Sequence, residues 1–158
     1  MKAYLFLHII LFFMAVSNST ALKQEDLNKD LCGDLLEAYA KKPEGVHFVK
    51  CETVAHSQKL VQATYHVTAN KSQMAEDFFV QNYGMGKLKW YCCGWESGGQ
   101  MGQFEHPELT KIDAYLGGTI TMSGSAEIKD ETAPNGVRVE TDRSKIEYYV
   151  IVVTLSIV

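Results

Sequence analysis

Two periodicities alternate along this chain, and together they outline an α+β domain. Leu27, Leu31, Leu35 and Tyr39 recur at helical spacing with Cys32 and Leu36 beside them. That pattern predicts an amphipathic helix of about three to four turns, which Pro43 and Gly45 end. Residues 46–54 then alternate with period two and predict a strand. Val46 and Phe48 take one face, and His47, Val49 and Cys51 the other. Residues 60–68 predict a second strand with Val61, Ala63, Tyr65 and Val67 on its apolar face. The polar break His56-Ser57-Gln58 makes the pair a hairpin. Asn70 opens the next helix, with Gln73 three residues on in the manner of a capping box. Met74, Ala75, Phe78 and Phe79 form its apolar stripe and Gly84 is its stop. In the third strand, 88–93, Leu88, Trp90 and Cys92 alternate with Lys89, Tyr91 and Cys93.

Beyond that strand, glycines at 94, 98, 99 and 102 make the chain irregular as far as Gly118, with a turn of helix near 107–113. A fourth strand begins at 119–122. Residues 130–143, with Pro134-Asn135-Gly136, are a long polar loop or a small extra hairpin. The last strand, 145–158, carries the β-branched run Val150-Ile151-Val152-Val153, expected to be buried on both faces and central in the sheet. The expected fold is therefore a single disulfide-stapled α+β domain: an antiparallel-rich sheet of about five strands with two main helices packed on one face. A right-handed crossover from Tyr65 to Trp90 is expected to bring the third strand beside the first.

The start of the chain reads differently. Met1-Lys2 is a short positive beginning, 3–16 is an apolar run, and Ser19 and Ala21 stand at −3 and −1 of a cleavage site. This predicts a signal peptide over 1–21 and a mature domain over 22–158. The apolar run is shorter than the about 20 residues that a membrane-spanning helix needs, so no span is expected after cleavage. The 15 basic residues face 19 acidic ones, a formal charge of −4 that the loss of Lys2 makes one unit more negative. An acidic chain without a basic cluster argues against nucleic acid or anionic lipid as partner.

The 4 cysteines are Cys32, Cys51, Cys92 and Cys93, an even count that in an exported chain reads as two disulfides. No Cys-x-x-Cys spacing favours a zinc or redox site. Neighbouring strand residues point to opposite faces, and a bond between adjacent cysteines conflicts with ordinary disulfide geometry. The expected pairing is Cys32–Cys92 on the apolar face and Cys51–Cys93 on the other, with the other two connectivities still open.

The string Tyr83-Gly84-Met85, Leu88 and Cys92-Cys93-Gly94-Trp95-Glu96 resembles an uncharacterised family of small exported bacterial proteins, a domain of unknown function. Cys32 with Asp34-Leu35, Lys42-Pro43, Phe48, Cys51, Ala63-x-Tyr65-x-Val67, Met122-Ser123, Glu127 and Tyr148-Tyr149-Val150 are similar to the same pattern, over roughly residues 30–154. The resemblance implies a bacterial envelope location and brings no activity with it.

No catalytic motif stands out. Ser123-Gly124-Ser125 is not a nucleophile elbow, and Gly98-Gly99-Gln100-Met101-Gly102 lacks the ending of a phosphate loop. His47, His56, His66 and His106 share no helical ligand spacing, so no metal and no cofactor is expected. Glu96, Glu105, His106, Glu108 and Asp113 gather in the irregular segment, where Glu96 and His106 are the candidate acid–base pair. Trp95 with Glu96 is the candidate binding anchor, since Trp is favoured at interface hot spots. The expectation is a periplasmic or extracellular non-enzymatic module that binds, inhibits or assists another envelope protein. The alternatives are a small envelope hydrolase using the loop carboxylates and His106, and a thiol redox protein at Cys92-Cys93.

Overall fold

A computed structural model describes residues 30–54 and 58–157; the expected signal peptide and the break at His56-Ser57 lie outside the described residues. Within the unit Cys32–Val158 the sheet is antiparallel and seven-stranded. In chain order its strands are β1 (Val46–Thr53), β2 (Lys59–Thr68), β3 (Lys89–Tyr91), β4 (Gly94–Glu96), β5 (Gly102–Phe104), β6 (Leu116–Ser125) and β9 (Tyr148–Ile157). The short strands β7 (Glu127–Lys129) and β8 (Val137–Val139) form the small extra hairpin. The helices are α1 (Leu35–Tyr39), α2 (Ala69–Tyr83) and α3 (Pro107–Ile112).

The strand order is β1-β2-β9-β6-β4-β3, with β5 sharing the outer edge of β6. The last strand is thus central, between β2 and β6. The apolar alternation of each long strand builds one covered face. Val61, Ala63, Tyr65 and Val67 of β2, Tyr149, Ile151, Val153 and Leu155 of β9, and Leu116, Ile120 and Met122 of β6 are all buried. Val150 and Val152 are only half-buried, so β9 is sealed on one face rather than two. The helices pack on the covered face, where α2 meets β2, β5, β6 and β9. No helix among the described residues is long and apolar enough to cross a membrane.

Three local expectations change. The first helix is interrupted at 32–34: Asp34 caps α1 by accepting a hydrogen bond from the Glu37 N–H. Helix α2 buries Ser72, Ala75, Glu76 and Phe79, at i, i+3, i+4 and i+7, while Met74 is exposed. Its N-cap is Thr68 rather than Asn70, and its end at Gly84 is as expected, with Gly84 in the left-handed region at φ 69°. The third correction concerns topology. Strand β3 lies at the edge opposite β1, because α2 crosses the covered face from β2 to β5 and β6 before the chain pairs again.

The disulfides also differ from expectation. Cys32 pairs with Cys51 across a Cα–Cα distance of 5.6 Å, and Cys92 pairs with Cys93. The expected Cys32–Cys92 and Cys51–Cys93 bonds are therefore corrected, for two reasons. First, β1 slips register between Phe48 and Lys50, so Phe48 sits opposite Tyr65 and Cys51 opposite Ala63, both on the covered face. A bulge of one residue reverses the alternation that had set Cys51 against Phe48. Second, β2, β9 and β6 lie between β1 and β4. At about 4.8 Å per strand step, roughly 20 Å separates Cys51 from the hairpin that carries Cys93, beyond any disulfide.

Candidate functional site at the Cys92–Cys93 hairpin

Strands β3 and β4 are joined by two residues only, Cys92 and Cys93, with Tyr91 opposite Gly94, Trp90 opposite Trp95 and Lys89 opposite Glu96. A two-residue hairpin turn whose twist matches its strands needs a positive φ at its first central position. Cys92 supplies it at φ 46°, the one non-glycine residue in that region among the described residues. The cysteines therefore occupy a turn, not a strand, and the alternation rule does not apply to them.

The pairing of β4 with β6 sets Trp95 opposite Gly124 and Glu96 opposite Ser123. Trp95 consequently lies on the covered face. Its ring meets Trp90 edge-on at 5.6 Å, and the Arg143 guanidinium sits 5.2 Å from its centroid. The same guanidinium is 5.6 Å from the Tyr149 ring and donates to Glu76 Oε2 at 2.7 Å. Glu76, 2 % exposed, completes its bonding by accepting from the Leu88 N–H at 2.7 Å. Burial works most strongly against the charge of Arg143, but the hydrogen bonds and charges of Glu76 and Tyr149 together outweigh it and hold the guanidinium above its ordinary pKa. These contacts lock the hairpin to α2 and β9.

Tyr91, Glu96, Ser123 and Ser125 take the opposite, open face. They line a depression of about 420 Å³ together with the Cys92–Cys93 pair, Gly94 and Glu127. Gly94 forms its floor between Tyr91 and Ser125, and a side chain there would meet Gly124 O at 2.7 Å. Tyr91 is 48 % exposed, and Cys92, Glu96, Ser123, Ser125 and Glu127 are exposed. The depression thus offers an aromatic face, a disulfide, two hydroxyls and two carboxylates.

The sequence-derived site residues separate here. Glu96 is at the depression, whereas Trp95 supports it from behind. His106 is elsewhere: its Nδ1 accepts from the Glu108 N–H at 3.2 Å as the N-cap of α3, and its ring packs against Tyr39 at 5.7 Å. Glu105 lines a separate depression with Tyr115 and Thr110. Glu108 is paired with Lys111, whose hydrogen bond holds its carboxyl below the usual range. Glu96 and His106 are thus on different elements and different faces, and the structure forms no acid–base pair from them. His47 and His66 face each other across β1 and β2, with Tyr148 stacked on His66 at 4.1 Å. Among the described residues no third His, Cys, Asp or Glu joins them. What the sequence missed is Tyr91 and Glu127 as lining residues, and the Glu76–Arg143 pair behind them.

Fold and site together define a small α+β domain with two disulfides and an open-faced hairpin depression. Residues 22–95 match the model of a family described as a domain of unknown function, DUF4952. The match ends at Trp95, inside the Cys-Cys-Gly-Trp-Glu string. No curated protein and no solved structure matches the chain.

Proposed function

We propose that this chain is an exported, non-enzymatic module of a bacterial cell envelope, periplasmic in location, that binds another envelope protein at the hairpin depression. One observation carries the reading: a half-exposed Tyr91 and the Cys92–Cys93 pair border a hollow floored by Gly94 and rimmed by Glu96 and Glu127. An aromatic anchor with a carboxylate rim suits a loop that presents lysine or arginine beside apolar side chains. Export is supported by the leader-like start, by the two disulfides, and by the family match, which begins at Leu22, directly after Ala21.

The test is capture from envelope extracts with the leaderless protein, followed by titration of the purified captured protein. Tyr91→Ala and Glu96→Lys should each weaken binding by about tenfold or more, the usual scale of a hot-spot loss. Lys50→Ala, on the far edge strand β1, should leave it unchanged. A partner bound equally well by all three variants contradicts the reading.

A further inference from the structure

The two disulfides differ in what they do for the fold. Cys32–Cys51 spans 19 residues and ties the start of α1 to an edge strand. Bridging residues that far apart removes conformations from the unfolded chain. Cys92–Cys93 joins neighbours and closes only the small ring between them, so it restricts the unfolded chain hardly at all. The hairpin does not depend on it either. Lys89–Tyr91 pair in register with Gly94–Glu96, Trp90 packs on Trp95, and Arg143 holds Trp95 from behind. A bond that closes only this small ring stands at an exposed turn, on a residue whose φ of 46° side-chain-bearing residues avoid.

From this contrast we infer that Cys92–Cys93 is a reversible thiol–disulfide exchange site whose co-reactant is a dithiol. The chemistry stands independently of the docking reading. One thiolate of the dithiol attacks Cys92 Sγ, because Cys92 is the exposed member of the pair and Cys93 is half-buried. The bond from the reductant sulfur to Cys92 forms as the Cys92–Cys93 bond breaks, and Cys93 leaves as a thiolate and takes up a proton. The second thiol of the reductant then loses its proton and attacks its own partner sulfur in the mixed disulfide. This releases Cys92, which is protonated in turn. The reductant leaves as a disulfide; two electrons and two protons have passed to the pair. An oxidised dithiol reverses each step. Opening the ring releases the two sulfurs from each other, so the reduced state presents two separate thiols at the lip of the depression where the oxidised state presents a disulfide. The surrounding ladder keeps the fold in both.

The experiment titrates the folded, oxidised, leaderless protein with dithiothreitol, quenches with an alkylating reagent and maps the modified cysteines. Cys92 and Cys93 should become alkylated together, at a dithiothreitol concentration at least about tenfold below that required for Cys32 and Cys51. Removing the reductant and adding oxidised dithiothreitol should restore the bond. Tryptophan emission from Trp90 and Trp95 should follow the same midpoint, and Cys92→Ser combined with Cys93→Ser should abolish that optical change while leaving Cys32–Cys51 intact. Two results overturn the inference: Cys92 and Cys93 staying unreactive until the protein is unfolded, or all four cysteines being reduced at one midpoint.

Discussion

Glu76 and Arg143 stand 67 residues apart in the chain and meet at 2.7 Å beneath the β3–β4 hairpin. The pair joins the middle of α2 to the short 3-10 turn Arg143–Lys145 that leads into β9. Tyr149 adds to it, since its hydroxyl donates to the Arg143 carbonyl at 3.3 Å while its ring lies against the guanidinium. The hairpin is held from behind by this cluster, and the depression in front owes its shape to it.

Glu76→Ala should therefore be among the most damaging single changes in the domain. It leaves a partly buried guanidinium and the Leu88 N–H without their acceptor, and breaking a buried pair costs about 3–5 kcal/mol. Glu76→Gln keeps one acceptor and should cost clearly less. Urea unfolding of the two variants against wild type measures both values.

Gly124→Ala tests the same cluster from the sheet side. A Cβ at this position would stand 2.5 Å from Tyr149 Cε1, and Tyr149 is fully buried and fixed at both ring and hydroxyl. Overpacking of this kind costs about 1–3 kcal/mol. The same denaturation experiment reads it, and Ser123→Ala, exposed on the neighbouring position of β6, should change stability by less than about 0.5 kcal/mol.

The disulfides should separate by stability as well as by reactivity. Cys32→Ser with Cys51→Ser should cost about 3 kcal/mol, the chain-entropy value for a loop of this order. Cys92→Ser with Cys93→Ser should cost less than about 1 kcal/mol, because only the small ring between neighbours is opened. Thermal or urea unfolding of the two double variants makes the comparison.

Asp34 sets an acid limit on stability. Burial raises its carboxyl pKa, but bonds from Lys42, the Glu37 N–H and the Tyr65 hydroxyl outweigh that effect and hold it below the ordinary aspartate value. A depressed folded pKa gives stability that is fully present above the unfolded value of about 3.9 and is lost as pH falls through the folded value. Between neutral pH and about pH 5 this contribution should stay level, then decline with further acidification. In Asp34→Asn the fall in unfolding free energy between about pH 5 and pH 2 should be smaller than in wild type.

Alternation along β2 was legible because the strand has one sealed face, so Val61, Ala63, Tyr65 and Val67 could be read directly. The β-branched run of β9 pointed to its central place but not to its half-open second face, and 130–143 read as either a long loop or a small hairpin, of which the structure forms the hairpin. Local exceptions to that rule escaped. The bulge at 48–50 reverses the side on which Cys51 lies, and no residue type there announces it. Cys92 and Cys93 read as strand because a turn of this kind ordinarily takes glycine or asparagine at its positive φ. Glu76 lies outside the apolar stripe that the spacing of α2 predicts, and its partner Arg143 lies in a polar segment far along the chain. Non-local pairing also decided the position of β3, which local sequence could not show. Of the candidate anchor, Glu96 stands exposed beside the double cysteine, while Trp95 turns inward because its strand pairs it with Gly124.

The most direct test is to isolate the protein from its native compartment under conditions that trap thiols, and to determine its N-terminus and its cross-linked peptides. The account predicts a chain beginning near Leu22 with Cys32 bonded to Cys51 and, in the oxidised fraction, Cys92 bonded to Cys93. A full-length chain in the cytosol with all its cysteines as free thiols, or bonds running from residue 32 or 51 to the hairpin, would contradict it.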